Sequence, residues 1–192
     1  MIERYTRPEM GHLWSIQNEW QTILNVEIAA CEAMAELGEI PAAAVENIKK
    51  NAKFDVARIN EIEKVTDHDI IAFLTNLEEN VGEDSKYIHK GLTSSDVKDT
   101  AYCIMMRDAA AIILDDLRAF RTVLRRRADE FRHTPCIGRT HGIHAEPMTF
   151  GLKMLLWSAE IERDIERLTR AQETVSVGKL SGAVGTYSNI DP

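Results

Sequence analysis

Apolar residues recur at three- and four-residue steps along most of this chain, the spacing of amphipathic helices, and predict an all-α protein. Between Leu13 and Leu37, Trp20, Ile23, Leu24, Ile28, Cys31, Met34 and Ala35 form one face. Gly38 stops that helix, and Pro41 suits the first turn of the next, which ends near Lys53. A short segment follows from Asp55 to Lys64, after which Thr66 and Asp67 offer capping oxygens to a helix bearing Ile70, Ile71, Phe73, Leu74 and Leu77. Gly82 closes it, and the hydroxyl-rich turn GLTSS occupies Gly91 to Ser95. The longest rod runs from about Asp96 to Arg132 without an internal glycine or proline. Its near-heptad face, with Ala101, Ile104, Met105, Ile112, Leu117, Phe120, Val123, Leu124 and Phe131, must be buried along a bundle or another subunit. A further rod is expected from Pro147 to about Val175, and the tail GKLSGAVGTYSNIDP reads as a loop. No internal repeat and no strand is expected.

These patterns divide the chain into a small N-terminal helical domain over 1–110, which carries the polar loops, and the start of a central long-helix bundle over 111–192. Two rods do not close a bundle, which takes about four, so the chain reads as the front part of a larger protein. Its 192 residues are 44% hydrophobic and 28% charged, the balance of a soluble globular protein. A net charge of −8 argues against general nucleic-acid binding. Arg118, Arg121, Arg125, Arg126, Arg127 and Arg132 crowd one helix, but interleaved Asp115, Asp116, Asp129 and Glu130 make it a salt-bridged, solvated surface. Cys31, Cys103 and Cys136 form no CxxC pair, and an odd count without a signal peptide points to a reducing cytoplasm. No apolar run reaches the roughly 20 residues that span a bilayer, so neither membrane nor nucleic acid is expected as a partner.

Four polar clusters sit at helix ends or in loops. Arg4 and Tyr5 lie near the N-terminus; Thr66, Asp67, His68 and Asp69 open a helix; His89, Lys90, Thr93, Ser94, Ser95 and Asp96 surround the turn before the long rod. The fourth, GRTHGIHAEPMTFG from Gly138 to Gly151, gathers Arg139, Thr140, His141, His144 and Glu146 in what reads as a loop between two rods. Histidine exchanges protons near neutrality, so this loop is a candidate acid–base site, although capping of helix ends is an equally open reading. Hydroxyls and N–H groups of Thr93, Ser94 and Ser95 at a helix N-terminus suit a carboxylate or phosphate, with simple N-capping as the alternative. His68, between two aspartates, has its tautomer and basicity open to adjustment by them, or is a capping histidine. His141 and His144 lack any HExxH or Cys/His context for a metal, and no GxSxG elbow supports a nucleophile. Acid–base chemistry on an anionic small molecule fits the inventory best.

The joint order of RYTRPEM, TDHDIIAFL, HKGLTSSDVKDT and GRTHGIHAEPMTFG resembles the adenylosuccinate lyase family of the fumarase/aspartase superfamily, over essentially the whole chain. The resemblance implies β-elimination of fumarate from adenylosuccinate, giving AMP, and from the succinyl-carboxamide ribotide (SAICAR), giving AICAR, in purine nucleotide biosynthesis, without cofactor or metal. It implies His141 as the acid that protonates the leaving nitrogen, and His68 as its assistant. It also implies that Thr93 and Ser94 hold a substrate carboxylate, that Arg4 and Tyr5 hold the nucleotide portion, that Asp67 and Asp69 line the site, and that His89 contacts phosphate or substrate. Members of the family are homotetramers whose active sites are shared between subunits. Their base, a serine in an SSAMPHKRNP-like loop, has no counterpart here, so it is expected beyond residue 192 and the chain alone is expected to be inactive. A sister lyase with another substrate, or a non-catalytic helical assembly module, are the rival readings.

Overall fold

The computed structural model describes residues 2–190; Met1 and the last two residues of the expected tail loop, Asp191 and Pro192, lie outside them. After a 3-10 turn at Glu3–Tyr5 come α1 (Pro8–Leu13), α2 (Ile16–Glu36), α3 (Ala42–Asn51), α4 (Val56–Thr66) and α5 (Asp69–Val81). A second 3-10 turn (Gly82–Tyr87) leads to α6 (Ser94–Glu130), then β1 (Pro135–Thr140), β2 (Ile143–Thr149) and α7 (Phe150–Val175). The fold is all-α with one small two-stranded sheet among the described residues.

Most boundaries follow local chemistry. The Ser15 hydroxyl accepts the Asn18 N–H at 3.2 Å and starts α2. Gly38, at φ +76°, ends α2 by letting the N–H groups of Gly38 and Glu39 turn back onto the Ala35 and Met34 carbonyls. Asp55 caps α4 by accepting the Arg58 N–H at 2.9 Å. Of the two cap expectations for α5, Thr66 with Asp67 or His68, the second holds. Asp67 is taken up as the left-handed C-cap of α4 at φ 48°, and the Thr66 hydroxyl donates to carbonyls of Ile62 and His68. His68 caps α5 instead, its Nδ1 accepting the Ile71 N–H at 3.3 Å.

The larger correction concerns 135–149, expected as a loop leading into a rod at Pro147. It is an antiparallel hairpin with Thr140 opposite Ile143, Arg139 opposite His144 and Pro147 opposite Ile137; α7 starts only at Phe150. His141 (φ 52°) and Gly142 (φ 73°) supply the two consecutive positive φ angles that a tight two-residue hairpin turn requires. The register shifts between Ile137 and Arg139, and a side chain at Gly138 would start 2.8 Å from the Glu146 carbonyl oxygen, so the strands close only around a glycine. A two-stranded sheet consists of edges alone, which is why Pro147 is tolerated within it.

The chain forms two compact units, residues up to Met106 together with those from Ser176 on, and Arg107–Val175. The core of the first joins Ile23, Leu24 and Cys31 of α2 to Ile48, Ile59, Ile70, Phe73 and Leu77, with the Trp20 and Phe73 rings stacked at 4.9 Å. In the second, Leu124 and Ala128 of α6 pack on Met154 of α7, and Gly151 lies so near α6 that an added Cβ would sit 2.4 Å from the Ala128 carbonyl oxygen. Several of its arginines are ion-paired, Arg121 and Arg125 to Glu162 of α7 and Arg118 to Asp115. Leu152, Leu155, Leu156 and Trp157 remain between 43% and 56% exposed, an apolar face on α7.

The closing segment, expected with the long rods, instead packs with the first unit. The physical reason is Asp96, which is fully buried. One carboxylate oxygen accepts the Lys179 ammonium at 2.7 Å and the Ser181 N–H at 3.0 Å; the other accepts the Thr93 N–H at 2.9 Å and the Gly182 N–H at 3.2 Å. Gly91 presses so closely on the tail that a Cβ there would meet the Asn189 carbonyl oxygen at 2.6 Å.

Burial acts to raise the Asp96 pKa, but the Lys179 ammonium and the Thr93 and Ser181 N–H donors together outweigh it and hold the carboxyl below its ordinary range. A depressed folded-state pKa contributes stability that is complete above the unfolded value, about 4, and is lost as pH falls through the folded one. Asp96→Asn is therefore expected to lower unfolding free energy by about 2–3 kcal/mol at neutral pH. In denaturant titrations the gap between wild type and variant should narrow as pH drops below about 4. A gap independent of pH would mean that the carboxylate charge contributes nothing to folding.

Candidate active site

In the first unit the polar clusters at His68 and at Thr93 are tied together by a residue that belongs to neither. Lys98 lies one helical turn beyond Ser94 on α6, and its ammonium reaches Asp69 Oδ2 at 2.5 Å. The other oxygen, Oδ1, accepts the Ile70 N–H at 2.7 Å, so the half-buried carboxylate is used on both sides. Burial alone would raise the Asp69 pKa; the Lys98 and Ile70 donors outweigh it and hold it low, while the same pairing raises that of Lys98. The start of α5, with His68, is thus anchored to the first turns of α6.

Within this arrangement His68 is half-exposed, and its tautomer is fixed by a backbone group rather than by either flanking aspartate. Because Nδ1 accepts the Ile71 N–H, the neutral ring carries its hydrogen on Nε2, the nitrogen left to face outward. Asp69 Oδ1 stands 3.5 Å from Nδ1 as a neighbouring charge. Asp67, the other flanking aspartate, is exposed at the left-handed link between α4 and α5.

The TSSD turn is held by its last residue. Asp96 accepts the Thr93 N–H, the carboxylate half of a capping box, while the Asp96 N–H goes to the Thr93 carbonyl. Nothing among the described residues hydrogen-bonds the Thr93 and Ser94 hydroxyls, and both residues are half-buried. Simple capping by Thr93 is therefore replaced by capping by Asp96, which leaves two hydroxyls at the positive end of a 37-residue helix. An anion there would meet preset donors.

His89 opens the same turn in a left-handed conformation, φ 63°. Its N–H and its Nδ1 both contact the carboxylate of Glu27, at 3.0 and 2.5 Å. Lys90 pairs with Glu39 at 3.3 Å. Arg4 and Tyr5 are exposed, and they pair with each other, the guanidinium 4.7 Å above the ring centroid.

The second unit presents the hairpin. His141 occupies its tip, exposed and without a hydrogen-bond partner among the described residues, while Arg139 and His144 face each other across the strands. A groove of about 830 Å³ beside the hairpin is lined by Ile137, Gly138, Arg139 and Met148 and by Leu152 and Trp157 of α7. The groups on offer are an exposed imidazole at a hairpin tip, in the second unit, and two unpaired hydroxyls with two oriented imidazoles, in the first.

Three residues escaped the sequence reading. Glu27 sits four residues from both Ile23 and Cys31 on the apolar stripe of α2, and a carboxylate on a core face is the signal that could have found it. Lys98 lies at helical spacing from Ser94, a usable signal once that helix is drawn. Lys179, in a glycine-containing tail, carries no local signal at all.

A family model described as Lyase matches residues 3–192. The chain is 52% identical over all 192 residues to the adenylosuccinate lyase of Bacillus subtilis (strain 168), and covers 44% of that protein. It is 55% identical over the same length to the adenylosuccinate lyase of Synechocystis sp. (strain ATCC 27184 / PCC 6803 / Kazusa), again covering 44% of it. Among solved structures, the fumarate lyase from Mesorhizobium sp. BNC1 matches with a TM-score of 0.89 at 33% identity, over 94% of this chain and 44% of that one. The β-carboxy-cis,cis-muconate cycloisomerase from Acinetobacter calcoaceticus sp. ADP1 matches with a TM-score of 0.89 at 28% identity, over 95% of this chain and 44% of that one. The chain therefore spans less than half the length of the curated relatives it matches. With nearly every residue aligned to the family and the same helical framework in its solved neighbours, the chain belongs to the lyase family.

Proposed function

We propose that this chain supplies the anion cradle and the proton donor of an adenylosuccinate-cleaving lyase, one that also acts on SAICAR. The observation that carries this reading is identity of 52% and 55% to two adenylosuccinate lyases across all 192 residues. In the elimination, a base removes the proton from the carbon next to a carboxylate and the electron pair forms the carbon–carbon double bond. The C–N bond breaks, and the departing nitrogen takes a proton. Negative charge builds on the carboxylate before the bond breaks, so donors aimed at it stabilise the transition state, commonly by about 3 kcal/mol each.

Thr93 and Ser94, with free hydroxyls at the α6 N-terminus, take that role for the carboxylate. His141 protonates the nitrogen, a contribution of roughly 10²–10⁴-fold. His68, presenting Nε2, assists by orienting the donor or the substrate; Asp67 and Asp69 line the site, Asp69 holding the His68 turn through Lys98. His89 contacts the substrate or its phosphate, and Arg4 and Tyr5 the nucleotide portion. The base lies beyond residue 192. Neither cofactor nor metal enters this scheme, since proton transfer and fixed donors suffice. We place the enzyme in the cytoplasm as a homotetramer with shared active sites; the exposed apolar face of α7 is a surface that association would cover.

His141→Ala in the complete polypeptide should lower turnover of adenylosuccinate by at least ~10²-fold with the fold intact by circular dichroism. Retained turnover would remove His141 from the acid's role. The 192-residue chain by itself is expected to release no fumarate above background; turnover there would show that the base lies within it. The solved neighbours include a cycloisomerase, so a panel of adenylosuccinate, argininosuccinate and carboxymuconate should accompany both assays. Activity confined to carboxymuconate would favour the sister-enzyme reading instead.

A further inference from the structure

The buried pair of Glu27 and His89 has no counterpart in the proton transfers described above. Glu27 is 1% exposed and lies on the apolar face of α2 between Ile23 and Cys31. A carboxylate in that position needs a compensating partner, and His89 is its ion-pair partner among the described residues. Cys31, one helical turn further along α2, is kept neutral: burial, then the charges of Glu27 and Glu32, push its thiol up to about 12. The carboxylate therefore directs both of its oxygens to one residue, Oε2 to the His89 N–H at 3.0 Å and Oε1 to the ring Nδ1 at 2.5 Å.

This double contact determines which ring nitrogen is available. A carboxylate oxygen can only accept, so Nδ1 carries a hydrogen whether the ring is neutral or charged. Nε2 has no partner, and every buried side-chain polar atom among the described residues is satisfied, so Nε2 opens toward solvent. It does so at the turn whose far end carries the unpaired hydroxyls of Thr93 and Ser94.

Resting on the lyase reading for its substrate, we propose that Glu27 is a positioning residue, which fixes His89 with Nδ1–H turned inward and Nε2 offered to a phosphate or carboxylate of the ligand. Against such an anion the ring takes its second proton on Nε2 and donates from it, its charge compensated by Glu27 behind and the ligand in front. The left-handed backbone at His89 and the contact of its N–H with the same carboxylate hold the ring at one angle. Carboxylate–histidine pairs of this kind orient a functional nitrogen in metal sites and hydrolase triads, and disturbing the outer partner there typically costs roughly 10–100-fold.

The test uses the complete polypeptide with 15N-labelled histidine, the His89 signals being identified by their loss in His89→Gln. In the ligand-free protein at a pH where the ring is neutral, His89 should show a protonated Nδ1 and a bare Nε2. A bare Nδ1 would overturn the proposal, whatever the activity. Glu27→Gln should shift the population toward Nε2–H and lower kcat/KM for adenylosuccinate by at least about tenfold, but cause no further loss in a His89→Gln background. Equal losses in both backgrounds would overturn it, since Glu27 would then act only through the fold. If Glu27→Gln does not fold, the spectrum of the unaltered protein still decides. Absence of fumarate release by the unaltered polypeptide would sink the lyase reading alone, leaving the ring-nitrogen result to stand on its own.

Discussion

The hydrogen bonds that four donors make to Asp96 are the constraint on which the first unit depends. A carboxylate with no solvent exposure must be fully satisfied, and here the donors come from both sides of the sequence: Thr93 just before α6, and Lys179, Ser181 and Gly182 some 80 residues later. One buried charge thereby fixes the geometry of the TSSD turn and anchors a tail that has no regular secondary structure of its own. Because Asp96 does the capping, Thr93 and Ser94 are left with free hydroxyls. The need to satisfy a buried carboxylate and the availability of an anion cradle are the same arrangement seen from two sides.

The same logic repeats at smaller scale. Asp69 is satisfied by Lys98 and by its neighbour's N–H, which holds the His68 turn against α6. Glu27 is satisfied by His89. In each case a carboxylate inside or beside the core is paired within the first unit, so His68, His89, Thr93 and Ser94 stand next to interactions that the fold itself requires. The His68 and His89 rings are thereby oriented by groups of the fold itself.

Much of this was legible in the sequence. The helices were, because their apolar positions keep a 3.6-residue period and because Gly38, Asp55 and Gly82 punctuate them by strong local rules. The hairpin was not, since Gly138 and Pro147 interrupt the alternation that marks a strand and its turn uses His141-Gly142 in place of the commoner Asn-Gly. His68 stands out in the sequence by its place between two aspartates, but a backbone N–H, not either aspartate, sets its tautomer. The partners Lys98, Glu27 and Lys179 were hidden for a common reason: each acts across 29 to 83 residues of sequence, a distance at which local pattern is silent.

The reading proposed here gives this lyase-family chain an anion cradle in its first unit and a proton donor in its second. Its central claim is that the cradle is built in advance by Asp96. Amide hydrogen exchange tests this most directly. The Thr93, Ser181 and Gly182 amides should be strongly protected in the unaltered protein and should lose protection together in Asp96→Asn, while the amides of Ile59 and Phe73 in the core keep theirs. Protection at all three positions that survives the loss of the carboxylate would contradict the account.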